Sequence, residues 1–174
     1  CELWTAEPER PRSFVILKRM TAKADSLHPD CREAYKESLL LLKSLITRHG
    51  FVASAQDIAN YRRIWSRDSV IAGLAALSSG QTELIHGFRL SLETLKSHQD
   101  KTGRLASNIE PDKNQISFGT TVGRIDATLW YVIGACQYAL VMQDPLFWRD
   151  FRPSVERALF YLECLELNGR GLLH

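Results

Sequence analysis

Long hydrophobic runs are missing from this 174-residue chain. No apolar stretch approaches the roughly 20 residues that span a bilayer, so no membrane partner is expected. A surplus of one charge is missing as well. Lys and Arg number 22 against 20 Asp and Glu, a formal charge of +2. That near-balance removes the electrostatic case for a nucleic-acid or anionic-membrane partner. The four cysteines (Cys1, Cys31, Cys136, Cys164) lack metal-like or redox-like spacing. The histidines form neither an HExxH pair nor a zinc-finger pair. No Asn-X-Ser/Thr sequon and no secretory signal is found. A cytoplasmic protein without metal or cofactor is expected. What remains is an ordinary globular composition, 45% hydrophobic and 24% charged. The length fits one domain, able to bury about 70% of the surface exposed by its unfolded chain. It opens on Cys1 rather than Met, as a truncated or processed end would.

Helical periodicity dominates the rest. Tyr35, Leu39, Leu42 and Ile46 recur at helical spacing between a capping Asp30 and a terminating Gly50, which predicts a helix from about Cys31 to His49. A second helix is predicted from Asp68 to Ser79, stopped by Gly80, and a third from about Thr82 to His98. A fourth runs from Asp126 to about Met142. Asp144-Pro145 opens a last helical region whose main part starts at Pro153 and ends near Leu165. Phe14-Val15-Ile16-Leu17, within a lead-in over residues 1–28, fits either a strand or a helix turn. Cys136 and Cys164 fall in apolar helical patterns and are expected to be buried free thiols.

Helices two and four are apolar nearly all round, whereas one, three and five carry charged faces. An all-round apolar helix is buried and a striped one covers it, so the order reads outer, inner, outer, inner, outer. The connections alternate too: those entering the inner helices are long (50–67 and 99–125), those leaving them short. Long loops inside a compact domain are usually functional. Antiparallel hairpins bring both long loops to one end, where the inner helices have their N-termini.

Each long loop closes on a carboxylate at the start of an inner helix, Asp68 after Trp65-Ser66-Arg67 and Asp126 after Arg124-Ile125. An acid there is ordinarily a capping or first-turn residue, favoured by the free N–H groups and the helix dipole. Three features point further. Each carboxylate closely follows an arginine, each is flanked by aromatics (Trp65; Trp130-Tyr131), and each belongs to a long loop. Convergent carboxylates, arginines and rings are the usual furniture of a carbohydrate site, rings stacking on sugar C–H faces while charged groups take hydroxyls. Glycoside hydrolysis needs a protonated carboxyl at the leaving oxygen and a second carboxyl acting on the anomeric carbon or its water. Desolvation among Trp130 and Phe118 is one route to the first.

Ile64-Trp65-Ser66-Arg67-Asp68-Ser69 resembles the Trp-x-Arg-Asp segment of the six-hairpin glycosidases, among them glucoamylases, glycogen-debranching glucosidases and neutral invertases. The likeness continues in Leu105-Ala106-Ser107-Asn108-Ile109-Glu110-Pro111-Asp112 and in Val122-Gly123-Arg124-Ile125-Asp126-Ala127-Thr128-Leu129-Trp130-Tyr131. It covers roughly residues 50 to 140 and is nearest to the bacterial amylo-α-1,6-glucosidase-like group. The resemblance implies an all-α fold of alternating inner and outer helical hairpins, part of an (α/α)6 toroid. It also implies an inverting hydrolase of α-glucosides acting on an oligo- or polysaccharide. Arg67 and Asp68 then bind the sugar of the −1 subsite and Asp126 is the proton donor. Trp65, Phe118 and Trp130 are stacking candidates, Trp130 being equally suited to the core. Asn108 and Arg124 are hydrogen-bonding candidates, while Glu110 and Asp112 fit sugar contacts and solvated loop charges alike. An inverting enzyme needs a general base about 6.5–9.5 Å from the acid, and none is evident before His174. Twelve helices would need about twice this length, so residues 1–174 are expected to be the N-terminal portion of one toroid. Such a portion is expected to be inactive alone and to self-associate through exposed inner helices. The alternatives are a non-catalytic sugar-binding relative and a helical-hairpin scaffold for a protein partner, although no repeat of 30–45 residues supports a solenoid.

Overall fold

A computed structural model of the chain describes residues 28–119 and 125–166, together with 169 and 171. Among these residues the fold is mostly helical: α1 (Pro29–Ser44), α2 (Ser66–Ser79), α3 (Thr82–Ser97), α4 (Asp126–Met142) and α5 (Pro145–Cys164). Short strands punctuate the connections: β1 (Ile46–Thr47), β2 (Gly50–Phe51), β3 (Ile64–Trp65), β4 (Asn108–Glu110) and β5 (Gln115–Ser117). The expected all-α class is consistent with this, and two small antiparallel sheets, β1–β2 and β3–β4–β5, are set into the connections between the helices. The lead-in through residue 27, with Phe14–Leu17, lies outside the described residues.

The third and fourth helices end within a residue of their predicted limits. The first does not. It is capped by His28, whose ring accepts from Asp30 N, and it stops at Ser44 rather than His49. β-Branched Ile46 and Thr47 enter a strand pair instead, closed by Thr47 Oγ1 donating to Gly50 O at 2.9 Å. Gly50 has φ +114°, and a Cβ there would lie 2.4 Å from Ser91 N. Its role is thus close approach to α3, secured by Phe51 N donating to Ser91 Oγ at 2.8 Å. α2 begins at Ser66, two residues before Asp68, and ends at Gly80 with φ +69°. α5 is one helix through Pro153 rather than a helix starting there. Pro153 is exposed, and its missing N–H falls where water reaches the backbone.

α2 packs against α3 and α4, and α5 packs against α4. The core between them contains Phe88, Leu92, Tyr131, Phe147 and Phe151, all at most 1% exposed. α1 covers the edge loosely and buries no residue completely. The apolar helices α2 and α4 are not buried all round as the pattern predicts. Their outer-helix neighbours cover one side, and the other leaves Ile71 49%, Leu129 40%, Ile133 43% and Leu140 67% exposed. Cys164 is exposed rather than buried, being near the open end of α5, whereas Cys136 is partly buried and its thiol is pushed up by that burial. No helix among the described residues is long and apolar enough to cross a membrane.

Candidate functional site

The two long connections meet at one end. Ile64 pairs with Ile109 and Trp65 with Asn108, so β3 from the first loop joins β4 from the second, and Asn108 pairs onward with Ser117 of β5. Residues 104–107 thread between the N-terminal ends of α2 and α4 as a strap. Ser66 N donates to Ser107 O at 3.0 Å, and Ser66 Oγ donates to Ala106 O. Ser107 N donates to Ser117 O at 2.7 Å, and Leu105 N to Thr128 Oγ1 at 3.2 Å. Ser66, Ala106 and Thr128 are completely buried, where each polar group needs its partner. The strap therefore sets how the two helix ends sit. Ser66 and Thr128 do this positioning, and sequence reading missed both. Their signal was a hydroxyl at the edge of, or inside, an otherwise apolar helix.

Arg67 and Asp68 lie exposed in the first turn of α2, and Asp126 opens α4. Neither helix has a side-chain cap hydrogen bond, so both acids are first-turn residues rather than caps. Arg67 Nη1 meets Asp126 Oδ2 at 3.2 Å across the two helices, with side chains 55% and 45% exposed. A pair this exposed stabilises by about 1 kcal/mol at most. Its meaning is geometric, because residues 59 positions apart share one point at the open end. Asp126 is half-exposed against a guanidinium rather than desolvated among Trp130 and Phe118, since the first residue of a helix at an open end keeps its water.

Of the stacking candidates, Trp65 is partly buried and its indole N–H donates to Asn60 O at 3.1 Å. Tyr61, 54% exposed, stacks on it with ring centroids 6.2 Å apart and planes at 25°. Tyr61 belongs to the site, and sequence reading passed over it because loop residues show no period. Phe118 is partly buried under the Arg104 guanidinium, whose carbon stands 4.3 Å from the ring centroid. Trp130 packs against the core. Arg124 lies outside the described residues.

Asn108, 4% exposed, accepts from Arg63 Nη1 at 3.2 Å and is committed to the sheet. Arg63 also reaches Gln115 Oε1 at 2.9 Å and Glu110 Oε2 at 3.0 Å. Lys113, 2.6 Å from Glu110, holds that carboxyl below its usual range with Arg63's help. Asp112 is held low by Arg48 and then by His49, whose Nε2 is 3.2 Å away. Glu110 and Asp112 are thus paired loop charges. With Thr47, Arg62 and Ile64 they border a cleft of about 290 Å³. A wider groove of about 710 Å³ runs along α5 past Pro153, Phe160 and Tyr161. It shares no residue with the helix-end site and has neither the convergent arginine–carboxylate pair nor the strap. Neither cavity is lined by Arg67, Asp68 or Asp126, so the helix-end pair stands outside both. No group of three or more His, Cys, Asp or Glu able to hold a metal occurs among the described residues.

Comparison of the chain with protein-family models, curated proteins and solved structures finds no match.

Proposed function

We propose that the chain is the N-terminal portion of an inverting glycoside hydrolase of the six-hairpin (α/α)6 class, acting on α-glucosides of the glycogen-debranching kind. Arg67 and Asp68 hold the sugar and Asp126 donates the proton to the leaving oxygen, with the general base supplied by a later part of the toroid. The observation that carries this reading is the meeting of Arg67 and Asp126 at 3.2 Å on adjacent apolar helices, with Trp65 of the Tyr61–Trp65 ring pair two residues before Arg67. Two further features support it. The uncovered stripe of Ile71, Leu129, Ile133 and Leu140 is what further hairpins of a toroid would cover. Arg63, Arg67 and Arg104 each face a carboxylate (Glu110, Asp126 and Asp100), which suits an uncharged sugar better than an anionic one.

Without its base, this portion alone binds sugar weakly and hydrolyses nothing. The half-exposed, ion-paired Asp126 equally suits a sugar-binding relative that performs no hydrolysis. Maltose, isomaltose and sucrose titrated into the chain, read by calorimetry and melting temperature, test the common part. At least one is expected to bind with Kd of about 1 mM, near −4 kcal/mol, and Arg67→Ala is expected to abolish it. Failure of all three to bind or to shift the melting temperature supports the protein-interaction scaffold instead. Where the base is present, Asp126→Asn separates enzyme from lectin-like relative: hydrolysis unchanged by it removes Asp126 as the acid.

A further inference from the structure

α5 carries two stripes. One, through Phe147, Phe151, Val155, Ala158 and Leu162, is buried in the core. The other sets Pro153, Arg157, Phe160 and Cys164 three or four residues apart, on one face of the helix. With Tyr161 and the turn at Lys101 they border the groove of about 710 Å³, a volume within the range of small-molecule sites. Phe160, 64% exposed, is the most exposed aromatic ring among the described residues.

Both walls are held in place. On the turn, Asp100 Oδ1 accepts from Thr102 N at 2.9 Å, Thr102 Oγ1 at 2.6 Å and Arg104 N at 3.0 Å. Burial alone would push this carboxyl up, but the Thr102 and Arg104 hydrogen bonds outweigh it and hold the group below its ordinary value. Gly103, at φ +97°, presses the turn onto α5, since a Cβ there would lie 2.1 Å from Arg157 O. Gln99 Nε2 ties turn to helix, donating to Gly103 O at 2.8 Å and Ser154 O at 3.0 Å. Ser154 Oγ gives its one proton to Gln99 Oε1 at 2.8 Å, so the buried Tyr131 hydroxyl donates to Ser154 Oγ at 2.9 Å. Gln99 Oε1 also accepts from Arg157 Nη2 at 2.8 Å. The guanidinium is thus fixed by one edge at the groove, and its other N–H groups are unused.

Charge selects the ligand. Glu156, the carboxylate bordering the groove, is taken by Arg152 Nε at 2.7 Å. Neither Arg157 nor Lys101 meets a carboxylate among the described residues, whereas Arg63, Arg67, Arg89 and Arg104 all do. Two uncompensated cations beside bare aromatic surface suit an anion with an apolar body. We propose that the α5 groove binds a small organic anion of the arylalkyl-carboxylate class, its carboxylate on Arg157 and Lys101 and its apolar body against Pro153, Phe160 and Tyr161. The groove shares no residue with the helix-end site, so this ligand is independent of the sugar.

Three probes titrated into the intact chain and followed by NMR test the assignment: 4-phenylbutyrate, its uncharged amide 4-phenylbutanamide, and acetate. The acid is expected to shift Lys101, Arg157, Phe160 and Tyr161 and to approach saturation at about millimolar concentration. The amide is expected to bind about fivefold or more weakly, having no charge for either cation. Acetate, without the apolar body, is expected to leave the Phe160 and Tyr161 rings unmoved. Arg157→Gln and Lys101→Gln are each expected to weaken the acid by about two- to fivefold, the range of an exposed charge pair, and to leave the amide unchanged. Phe160→Ala is expected to weaken acid and amide alike. Lys101 makes no hydrogen bond or ion pair among the described residues, so Lys101→Gln reads the charge even where Arg157→Gln melts lower. Equal binding of acid and amide, acid affinity unchanged in both charge variants, or shifts lying outside the groove overturn the proposal. So does a chain that the acid leaves unmoved up to its solubility, or one that acetate shifts as strongly as the acid does.

Discussion

Gly73→Ala sets two effects of opposite sign against each other. In an exposed helix interior the change would stabilise by about 1 kcal/mol, because Ala is the better helix former. Gly73, however, faces the ring of Phe88, and a Cβ there would lie 1.9 Å from Cδ2, 2.2 Å from Cε2 and 2.3 Å from Cγ. Phe88 is completely buried and has nowhere to go. Its ring meets Tyr138 edge-on at 5.8 Å, Tyr138 lies 4.4 Å from Phe147, and Phe147 stacks at 4.0 Å on Phe151. Displacing Phe88 thus disturbs a row of rings reaching α5. Overpacking of this kind costs about 1–3 kcal/mol or more, and contacts under 2.5 Å put this site at or beyond the upper end. After the helix gain is subtracted, a net loss of about 2 kcal/mol or more remains, or a melting temperature lower by at least about 4–8 °C for a domain of this size. Differential scanning calorimetry reads it. Phe88→Leu in the Gly73→Ala background is expected to restore part of the loss, giving a double variant more stable than the sum of the singles. A Gly73→Ala chain that melts higher than wild type would refute the close α2–α3 approach.

Two titrations follow from the same packing. Tyr131, completely buried with its hydroxyl 2.9 Å from Ser154 Oγ, is pushed up to about 12 by desolvation, so it favours the neutral phenol in the folded state. Its contribution to stability is fully present below the usual tyrosine value near 10 and is lost as pH rises through the folded one. A spectrophotometric titration should show one tyrosine ionising last, and Tyr131→Phe should remove that step. The Asp100 contribution has the opposite sense. It is present above the ordinary value of about 3.9 and is lost as pH falls through the depressed one. Asp100→Asn should therefore destabilise the chain near neutrality and flatten its acid-unfolding profile. An unchanged acid limb would mean that the turn is not held by its carboxylate.

Much of the helical framework was legible because Leu84, Phe88, Leu92 and Leu95 repeat on one face, and because Gly80 marks a stop that only a residue tolerant of positive φ fills easily. The alternation of long and short connections also brought both long loops to one end, and β3 and β4 do pair there. What escaped was structure with no period. Strands of two or three residues leave no alternation to detect, so Ile46–Phe51 read as a helix end and Asn108–Ser117 as plain loop. Pro153 read as a start because proline prefers first turns, yet a solvent-facing position let the helix continue through it. Within the site, the residue types of Arg67 and Asp126 were readable, but their meeting required the Ser66–Ala106 and Leu105–Thr128 bonds, which join segments 23 to 40 positions apart. Asn108 looked like a free ligand until its partner Arg63, 45 positions away, was in view.

The central claim is that the joined N-terminal ends of α2 and α4 form a carbohydrate site. Amide and indole chemical-shift mapping of the isotope-labelled chain, titrated with maltotriose, tests it most directly. Saturating shifts are expected, confined to the Trp65 indole N–H, Tyr61, Arg67, Phe118 and the first turn of α4 at Asp126, and all absent in Arg67→Ala. A spectrum unmoved up to the solubility of the sugar, or shifts gathered instead at Phe160 and Tyr161 on α5, would contradict it.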